Sequence, residues 1–516
     1  MNILIKQILK QNINQVASYF EYYIIYQTMK KWIRIIAFLS LLIIFVYLRL
    51  KPIINQTVPY TYDQGRDFLK AEEIVRFKNL TFIGPTTGIM GINHGALWYY
   101  LLSIPYFIFN GWPMGFYYFM FFISLVGNLG FYYFLKKEFN LNTALLFLSI
   151  VSISPYFIPL SFFASNNIIT PYIILFLIVS IYYLFKTKKY IWFFFLALSS
   201  GFVHEFEVSF GLFIIPIVIF LVLIFKNTRK ILLSFKGFLY SFLGMIFAFS
   251  PRILFEVKHQ FIQTKTLFNF FIKPKLHNPK PFIDVFNDRI IMFWSYFKSL
   301  FVNYNVWISA IILIGVMFIF FKFRKKLSNY PYLLMLILLA SLLFLASLVY
   351  KDNFWSNYYE GIQYIFLFIT LFAYYLISQR YKQISAIILL IYCFISLFIF
   401  SKELLNKEKL LRDFKAINQA VIYLYSQTKN KDFCLKIYTA PVIPYTYDYL
   451  TSYYSKIKNI NRPVTDYLDN KCWFIIESDQ YSFRVKEWIK ENLQENGNKL
   501  TSHRINKDIL IELWKK

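Results

Sequence analysis

Residues 168–189 read IITPYIILFLIVSIYYLFKTKK. Positions 168–185 carry no charge and approach the roughly 20 residues that cross a bilayer. The run then stops on Lys186, Lys188 and Lys189. The same form recurs outward in both directions. Spans are read at 33–50, 112–135, 141–160, 168–185, 190–206, 208–225, 231–250, 303–321, 331–349, 361–377 and 384–400. Basic turns follow alternate spans: Lys136 and Lys137; Lys226, Arg229 and Lys230; Lys322, Arg324, Lys325 and Lys326; Arg380 and Lys382. With Lys30, Lys31 and Arg34 inside, every one of these turns falls inside in register, as the excess of Lys and Arg in cytoplasmic loops requires. The stretch HGALWYYLLSIPYFIFN, 94–110, is apolar but short and holds Pro105. As a full span it would throw the later basic turns outside, so it is read as a membrane-surface helix on the outer face.

Composition supports this reading. Of 516 residues, 58% are hydrophobic, 22% aromatic and 16% charged, and the mean hydropathy is +0.48. A soluble domain runs near 45–50% apolar and about 25% charged. The net charge of +28 belongs to the basic turns, and no nucleic-acid motif accompanies it. The expected fold is an all-α polytopic membrane protein of about eleven transmembrane helices with outer-face surface helices, followed by a small α/β domain. Residues 1–28 are a segment of unassigned status without the form of a cleavable signal. Residues 29–401 form the transmembrane domain, with long outside loops at 51–111 and 252–302. After residue 402 charge rises and β-like stretches appear (FCLKIYTAP, KCWFIIES, DILIELW). An odd number of spans puts this soluble domain, 402–516, outside the cytoplasmic membrane.

Three cysteines exclude a disulfide-rich scaffold and a cysteine zinc site. An outside location permits a Cys434–Cys472 disulfide. Spacing alone leaves two buried thiols as the alternative. Cys393 lies in a span, where packing explains it.

Polar residues gather at the outer ends of the spans. In VPYTYDQGRDFLKAEEIVRFKNL, 58–80, Asp63 and Asp67 are four apart and share a helix face, with Arg66 between them. Glu72 and Glu73 read as the acidic turn of a helix start. Asn166 and Asn167 sit in a turn, where helix capping and sugar hydrogen bonding explain them equally well. His204 and Glu207 are three apart and face one side. They could bind a divalent metal, but two ligands do not make a site, so no cofactor is assigned. Glu256 follows Arg252 by one helical turn and reads as its salt-bridge partner or as a substrate contact. Lys258 and His259 belong to a basic loop that suits an anionic lipid or plain solvation. Tyr358, Tyr359 and Glu360 border a later span, where tyrosine fits the aromatic belt.

In order and spacing, residues 33–260 resemble the integral-membrane glycosyltransferases of the C fold (GT-C). That group includes protein O-mannosyltransferases, which are glycosyltransferase family 39, aminoarabinose transferases of lipid A and lipopolysaccharide-core sugar transferases. The family's acidic motif after the first span is matched by Asp63-Gln64-Gly65-Arg66 and Asp67. Its His-Pro-Pro-Leu-Tyr-Tyr-like motif is matched by His94-Gly95-Ala96-Leu97-Trp98-Tyr99-Tyr100. YFLKKEFN, Ser154-Pro155, ASNNIITP and SPRILFEVKHQF match later landmarks. Gln64 stands where many relatives have Glu, and both prolines after the His are absent.

The resemblance implies transfer of a sugar from a polyprenyl-phosphate donor to an acceptor hydroxyl on the outer face, with inversion. The acceptor is a glycan, lipid or protein, membrane lipid surrounds the site, and nucleic acid has no part. It implies Asp63 as the base and Asp67 as an assisting or orienting group. Arg66, His94, Arg252 and His259 become candidate phosphate contacts, and Asn166, Asn167, His204, Glu207 and Glu256 line the cavity. The C-terminal domain is expected to recognise the acceptor. Two other readings stay open. An O-antigen ligase or polymerase-like enzyme would use a lipid-pyrophosphate donor and catalytic Arg or His in a late outside loop. A lipid-linked-sugar flippase would show internal repeats and mid-membrane polar residues. The absence of a Walker-type loop removes support for ATP-driven transport.

Overall fold

The computed structural model describes residues 28–29, 31–273, 278–301, 305–405, 413–429, 431–440, 443–493 and 497–516. The N-terminal segment of unassigned status therefore lies almost wholly outside the described residues. The principal elements begin with α1 (Lys31–Ile54) and α2 (Tyr62–Phe77), then the hairpin β1 (Ile83–Thr86) and β2 (Asn93–Gly95). Next come α3 (Leu97–Ile108), α4 (Pro113–Glu138), α5 (Leu141–Ile153), α6 (Thr170–Thr187), α7 (Ile191–Phe206) and α8 (Val208–Ile224). They are followed by α9 (Phe235–Lys258), α10 (Ile262–Ile272), α11 (Phe282–Lys298) and α12 (Val306–Lys322). The helical part closes with α13 (Pro331–Ser347), α14 (Ile362–Arg380) and α15 (Lys382–Leu405).

A helix lies within each of the eleven expected spans, although the one in 141–160 stops at Ile153. Among the described residues, six are long and apolar enough to cross a membrane. They are α1, α4, α6 with the turn that precedes it, α9, α14 and α15. α8 joins them if it is counted with the helix Lys226–Leu232, from which it bends by 107°. α5, α7, α12 and α13 are shorter apolar helices. The expected span 141–160 is cut at Ile153, where Ser154 takes the extended backbone favoured before a proline. α3 has 12 residues, about 18 Å at 1.5 Å per residue, too short for a hydrocarbon core of about 30 Å. It packs on α2 and α4, as the surface-helix expectation requires.

The ends of the bundle are sorted by charge. At one end Glu138 pairs with Lys186 and accepts from the Tyr182 and Tyr183 hydroxyls. Asn140 reaches Ser378, and Lys322 lies over Tyr381. At the other end Ser154 meets Ser299, Tyr156 meets Glu360, and Arg252 meets Glu205. Near this second end, the fully buried Arg49 donates to the carbonyls of Val151, Ser152 and Phe157 and to Ser161 Oγ. Two of these carbonyls belong to the last turn of α5, where a helix leaves its acceptors unpaired, so the guanidinium needs no carboxylate.

The C-terminal part holds α16 (Phe414–Gln427), β3 (Leu435–Tyr438), α17 (Tyr445–Lys458), β4 (Lys471–Glu477), α18 (Ser482–Asn492), β5 (Asn498–Arg504) and β6 (Ile509–Lys515). The sheet order is β3-β4-β6-β5. β3 and β4 run parallel across the α17 crossover, and β6 is antiparallel to both of its neighbours. Cys434 and Cys472 form the disulfide that the sequence left open.

This domain is docked on α2. A Cβ at Gly65 would lie 2.5 Å from the Thr446 nitrogen, so α2 and the start of α17 are in backbone contact. Glu72 corrects the expectation of an acidic helix start. α2 begins at Tyr62, so Glu72 is well inside it, and its side chain is buried. It accepts from Ser452 Oγ at 2.7 Å and Arg462 Nη2 at 3.1 Å in the docked domain, and from Arg76 Nη1 at 2.5 Å. Glu73 is likewise well inside α2 and not at its start; it is partly exposed and pairs with Lys70 at 2.7 Å.

Candidate functional site

The site is built on α2, the β1–β2 hairpin, the α7–α8 corner and the end of α9. α2 starts with a capping box, in which Gln64 Oε1 accepts from the Thr61 amide at 2.9 Å. That places Asp63 and Asp67 on one face, but in different surroundings. Asp67 is buried, with Oδ1 on Arg66 Nε at 2.8 Å and Oδ2 on the Trp98 indole N–H at 2.7 Å. Burial pushes its carboxyl up to about 6 against the pull of Arg66 and Trp98. Asp63 is 60% exposed in its side chain and meets Arg66 Nη1 at 2.9 Å. The two carboxylates therefore share one guanidinium, and only Asp63 is open to an incoming group.

His94 lies in β2 of the hairpin, in a buried position. Its Nδ1 accepts from the Val208 amide at 3.4 Å, so Nε2 carries the proton of the neutral ring. Burial, with Arg252, His204 and Arg66 as positive neighbours, holds the imidazole down at about 3. Arg66 of the first cluster and Arg252 of the second thus both act on His94. A His that is neutral when folded and titrates near 6.5 when unfolded stabilises the protein fully above pH 6.5. That stability drains as pH falls toward 3. His94→Gln is expected to flatten this acid limb of a thermal-unfolding profile in detergent. An unchanged limb would show that the imidazole does not set it.

Arg252 is the centre of the second cluster. Its Nε donates to Glu205 Oε1 at 2.6 Å, Nη1 to Gln263 Oε1 at 3.2 Å and Nη2 to the Asn93 carbonyl at 3.0 Å. Three of five guanidinium N–H groups are used, which leaves two. Around it, Glu205 Oε2, Gln263 Nε2 and His204 Nδ1 are buried without a hydrogen-bond partner. Such atoms are costly unless something meets them. His204 and Gln263 stand at the polar end of a cleft of about 460 Å³, otherwise walled by apolar groups such as Phe242, Met245, Phe249 and Ile253, while Glu205 Oε2 lies against Gly95. Phe242 and Met245 also line an adjoining apolar groove of about 430 Å³ between α7, α8 and α9, with Leu196, Val218 and Phe238. The two make a greasy trough along α9 with a polar head.

The structure brings together Asp63, Arg66 and Asp67 as one group, and His94, His204 and Arg252 as another. The remaining expected residues sit differently. Glu256 is not the partner of Arg252. It borders the cleft, but its carboxylate accepts from the Gln263 and Thr264 amides at 3.1 and 3.0 Å and so caps α10. Glu207 breaks α7 from α8 and accepts from the Ser209 amide at 3.2 Å, making no hydrogen bond or ion pair with His204. Asn166 donates to the Phe206 carbonyl at 2.7 Å and so secures that corner, while Asn167 accepts from Ser165 at 2.8 Å within its own turn. His259 is exposed and stacked on Phe255, outside the cleft. Gln263 and Trp98 were not singled out as site residues, whereas Glu205 reads, with His204 and Glu207, as a cavity-lining residue or as half of a local ion pair. For Glu205 the signal was present, since a carboxylate inside GFVHEFEVSF, 201–210, must find a partner. Among the described residues no group of three His, Cys, Asp or Glu is placed to hold a metal ion.

No family model matches the chain, and no curated protein matches it either. Solved structures do. ArnT from Cupriavidus metallidurans in the apo state superposes with a TM-score of 0.57 at 11% identity, covering 94% of this chain and 98% of that one. This chain has the GT-C fold. ArnT from the same organism bound to undecaprenyl phosphate matches this GT-C chain with a TM-score of 0.54 at 10% identity, again over 94% and 98%. Identity this low speaks to the fold alone, so the roles of the residues rest on the geometry above.

Proposed function

We propose that this protein is an integral-membrane glycosyltransferase that moves a sugar from a polyprenyl-phosphate donor to an acceptor hydroxyl on the outer face of the membrane. The observation that carries the reading is the trough along α9. An isoprenoid chain suits its apolar length, and a phosphate suits its head, where Arg252 keeps two free N–H groups and Gln263 Nε2 has no partner. A GT-C neighbour, ArnT, binds undecaprenyl phosphate, which agrees with this assignment.

In the proposed step the acceptor oxygen attacks the anomeric carbon as the bond from that carbon to the phosphate oxygen breaks. The phosphate leaves on its lipid, the hydroxyl proton passes to Asp63, and a single displacement inverts the anomeric centre. Arg252 and the neutral His94 Nε2–H answer the charge that grows on the leaving phosphate. Asp67 holds Arg66, and so Asp63, in place. The sorted charges fit the site end outside and the basic turns inside. The Cys434–Cys472 disulfide fits an outside C-terminal domain.

The test is a transfer assay in membranes with radiolabelled polyprenyl-phosphate sugars, comparing wild type with Arg252→Ala. Donor use is expected to fall about a hundredfold in the variant, since truncating a buried charged contact costs about 2–5 kcal/mol. Transfer from lipid-pyrophosphate donors alone would favour the ligase. Lipid-linked sugar crossing the bilayer without transfer would favour the flippase.

A further inference from the structure

A second cavity of about 360 Å³ lies at the same end of the bundle. The two cavities share no lining residue, and the corner Phe206–Val208 borders the trough through Val208. On one side of that corner the Val208 amide meets His94; on the other, Asn166 holds the Phe206 carbonyl. The cavity is bordered by the turn after α5, by α11, and by the segment that leads into α14.

Its polar groups fall into two sets. One set fixes the walls. Tyr156 Oη donates to Glu360 Oε1 at 2.5 Å, Tyr296 Oη to the Ser356 carbonyl at 2.6 Å, and Ser154 Oγ to the Ser299 carbonyl at 3.0 Å. Gln363 Oε1 accepts from the Gly361 amide at 3.0 Å. The other set has no protein partner among the described residues: Glu360 Oε2, Gln363 Nε2, and the hydroxyls of Ser295 and Ser356. The rings of Tyr156, Tyr296 and Phe163 supply flat apolar faces beside them. Burial raises the Glu360 carboxyl to about 7, where it can donate as well as accept.

A rigid carboxyl, an amide and hydroxyls set against aromatic faces make the chemistry that recognises a pyranose. Adjacent ring hydroxyls pair with the carboxyl and amide, and the C–H face rests on an aromatic ring. Phosphate is poorly served, because the cavity lining contains no Lys or Arg. We infer that this cavity binds a sugar ring of the acceptor, so that the acceptor is a glycan or a glycolipid. The inference rests on the transferase reading for the word acceptor, but sugar binding itself can be measured without donor or turnover.

The experiment is saturation-transfer NMR on the full chain in detergent, with methyl glycosides of glucose, galactose, mannose and N-acetylglucosamine as probes. At least one is expected to show saturation transfer with wild type and equally with Arg252→Ala. The signal is expected to fall at least tenfold in Glu360→Ala. Ser295→Trp should do the same, because its exposed position fills the cavity without touching the core. Unchanged melting of Ser295→Trp keeps the result separate from misfolding. No signal with any glycoside, or a signal that survives both cavity variants, overturns the inference. A signal lost in Arg252→Ala places the sugar in the trough and also overturns it. None of these outcomes depends on whether Asp63 is the base.

Discussion

Asp63→Asn is expected to lower sugar transfer by about 10²- to 10⁴-fold, the usual contribution of a positioned general base. The change keeps the shape of the side chain and an oxygen for Arg66 Nη1, now 2.9 Å away, but removes the atom that takes the proton. Asp67 cannot replace it. Its two oxygens are committed to Arg66 Nε and the Trp98 indole, and it is buried. The loss should fall on kcat, with donor KM within a few-fold of wild type, because the donor head lies with Arg252. Folding should survive, since an exposed pair at (i, i+3) contributes at most about 1 kcal/mol. Asp63→Glu should recover part of the rate. Full transfer by Asp63→Asn at normal protein level would move the base elsewhere. If Arg252→Ala were dead in the same assay, the ligase reading would gain.

Gly95→Ala is expected to disable the site through a single methyl group. A Cβ there would lie 2.0 Å from Glu205 Oε2 and 2.8 Å from Glu205 Cβ. The carboxylate cannot swing clear without giving up Arg252 Nε at 2.6 Å. On the other side of the hairpin, a Cβ at Gly84 would meet the Gly95 carbonyl at 2.2 Å, so the pair of strands has no room to back away. Overpacking of this kind costs about 1–3 kcal/mol. Here the same displacement separates His94 from the Val208 amide and Arg252 from the Asn93 carbonyl. Melting temperature and donor use should therefore fall together. Gly130→Ala on α4 is the control, because nothing lies within 4 Å of its added Cβ. A Gly95→Ala protein that melts and transfers as wild type does would show that the hairpin gives way and that the contact is incidental. The clash also accounts for a departure from the family pattern: Gly95 stands at the first of the two missing prolines, and here a side chain would strike Glu205.

Much of the fold is legible in the chain because it depends on local properties. Apolar length and terminal charge mark a helix that crosses a membrane, and both can be counted along the sequence. A helix lies within each of the eleven expected spans for that reason, but among the described residues only six are long and apolar enough to cross, and the break after Ile153 was not foreseen. The carboxylates of α2 were also legible, since a separation of four places Asp63 and Asp67 on one face wherever the helix goes. Which of them stays open was not legible, because Trp98, 31 residues on, closes over Asp67.

Partnerships between elements were decided by tertiary structure. Spacing of one helical turn nominated Glu256 for Arg252. The fold gives Arg252 to Glu205, 47 residues away, because α9 lies along α7, while Glu256 turns to the amides of α10. Glu72 read as an acid of a helix start, but α17 brings Ser452 within 2.7 Å of it, across 380 residues. The pairing of Cys434 with Cys472 was likewise left to the alignment of β3 with β4. A sequence determines the faces a helix offers. Which face meets which is settled only by packing, where a buried charge must find whatever partner the neighbouring helix presents.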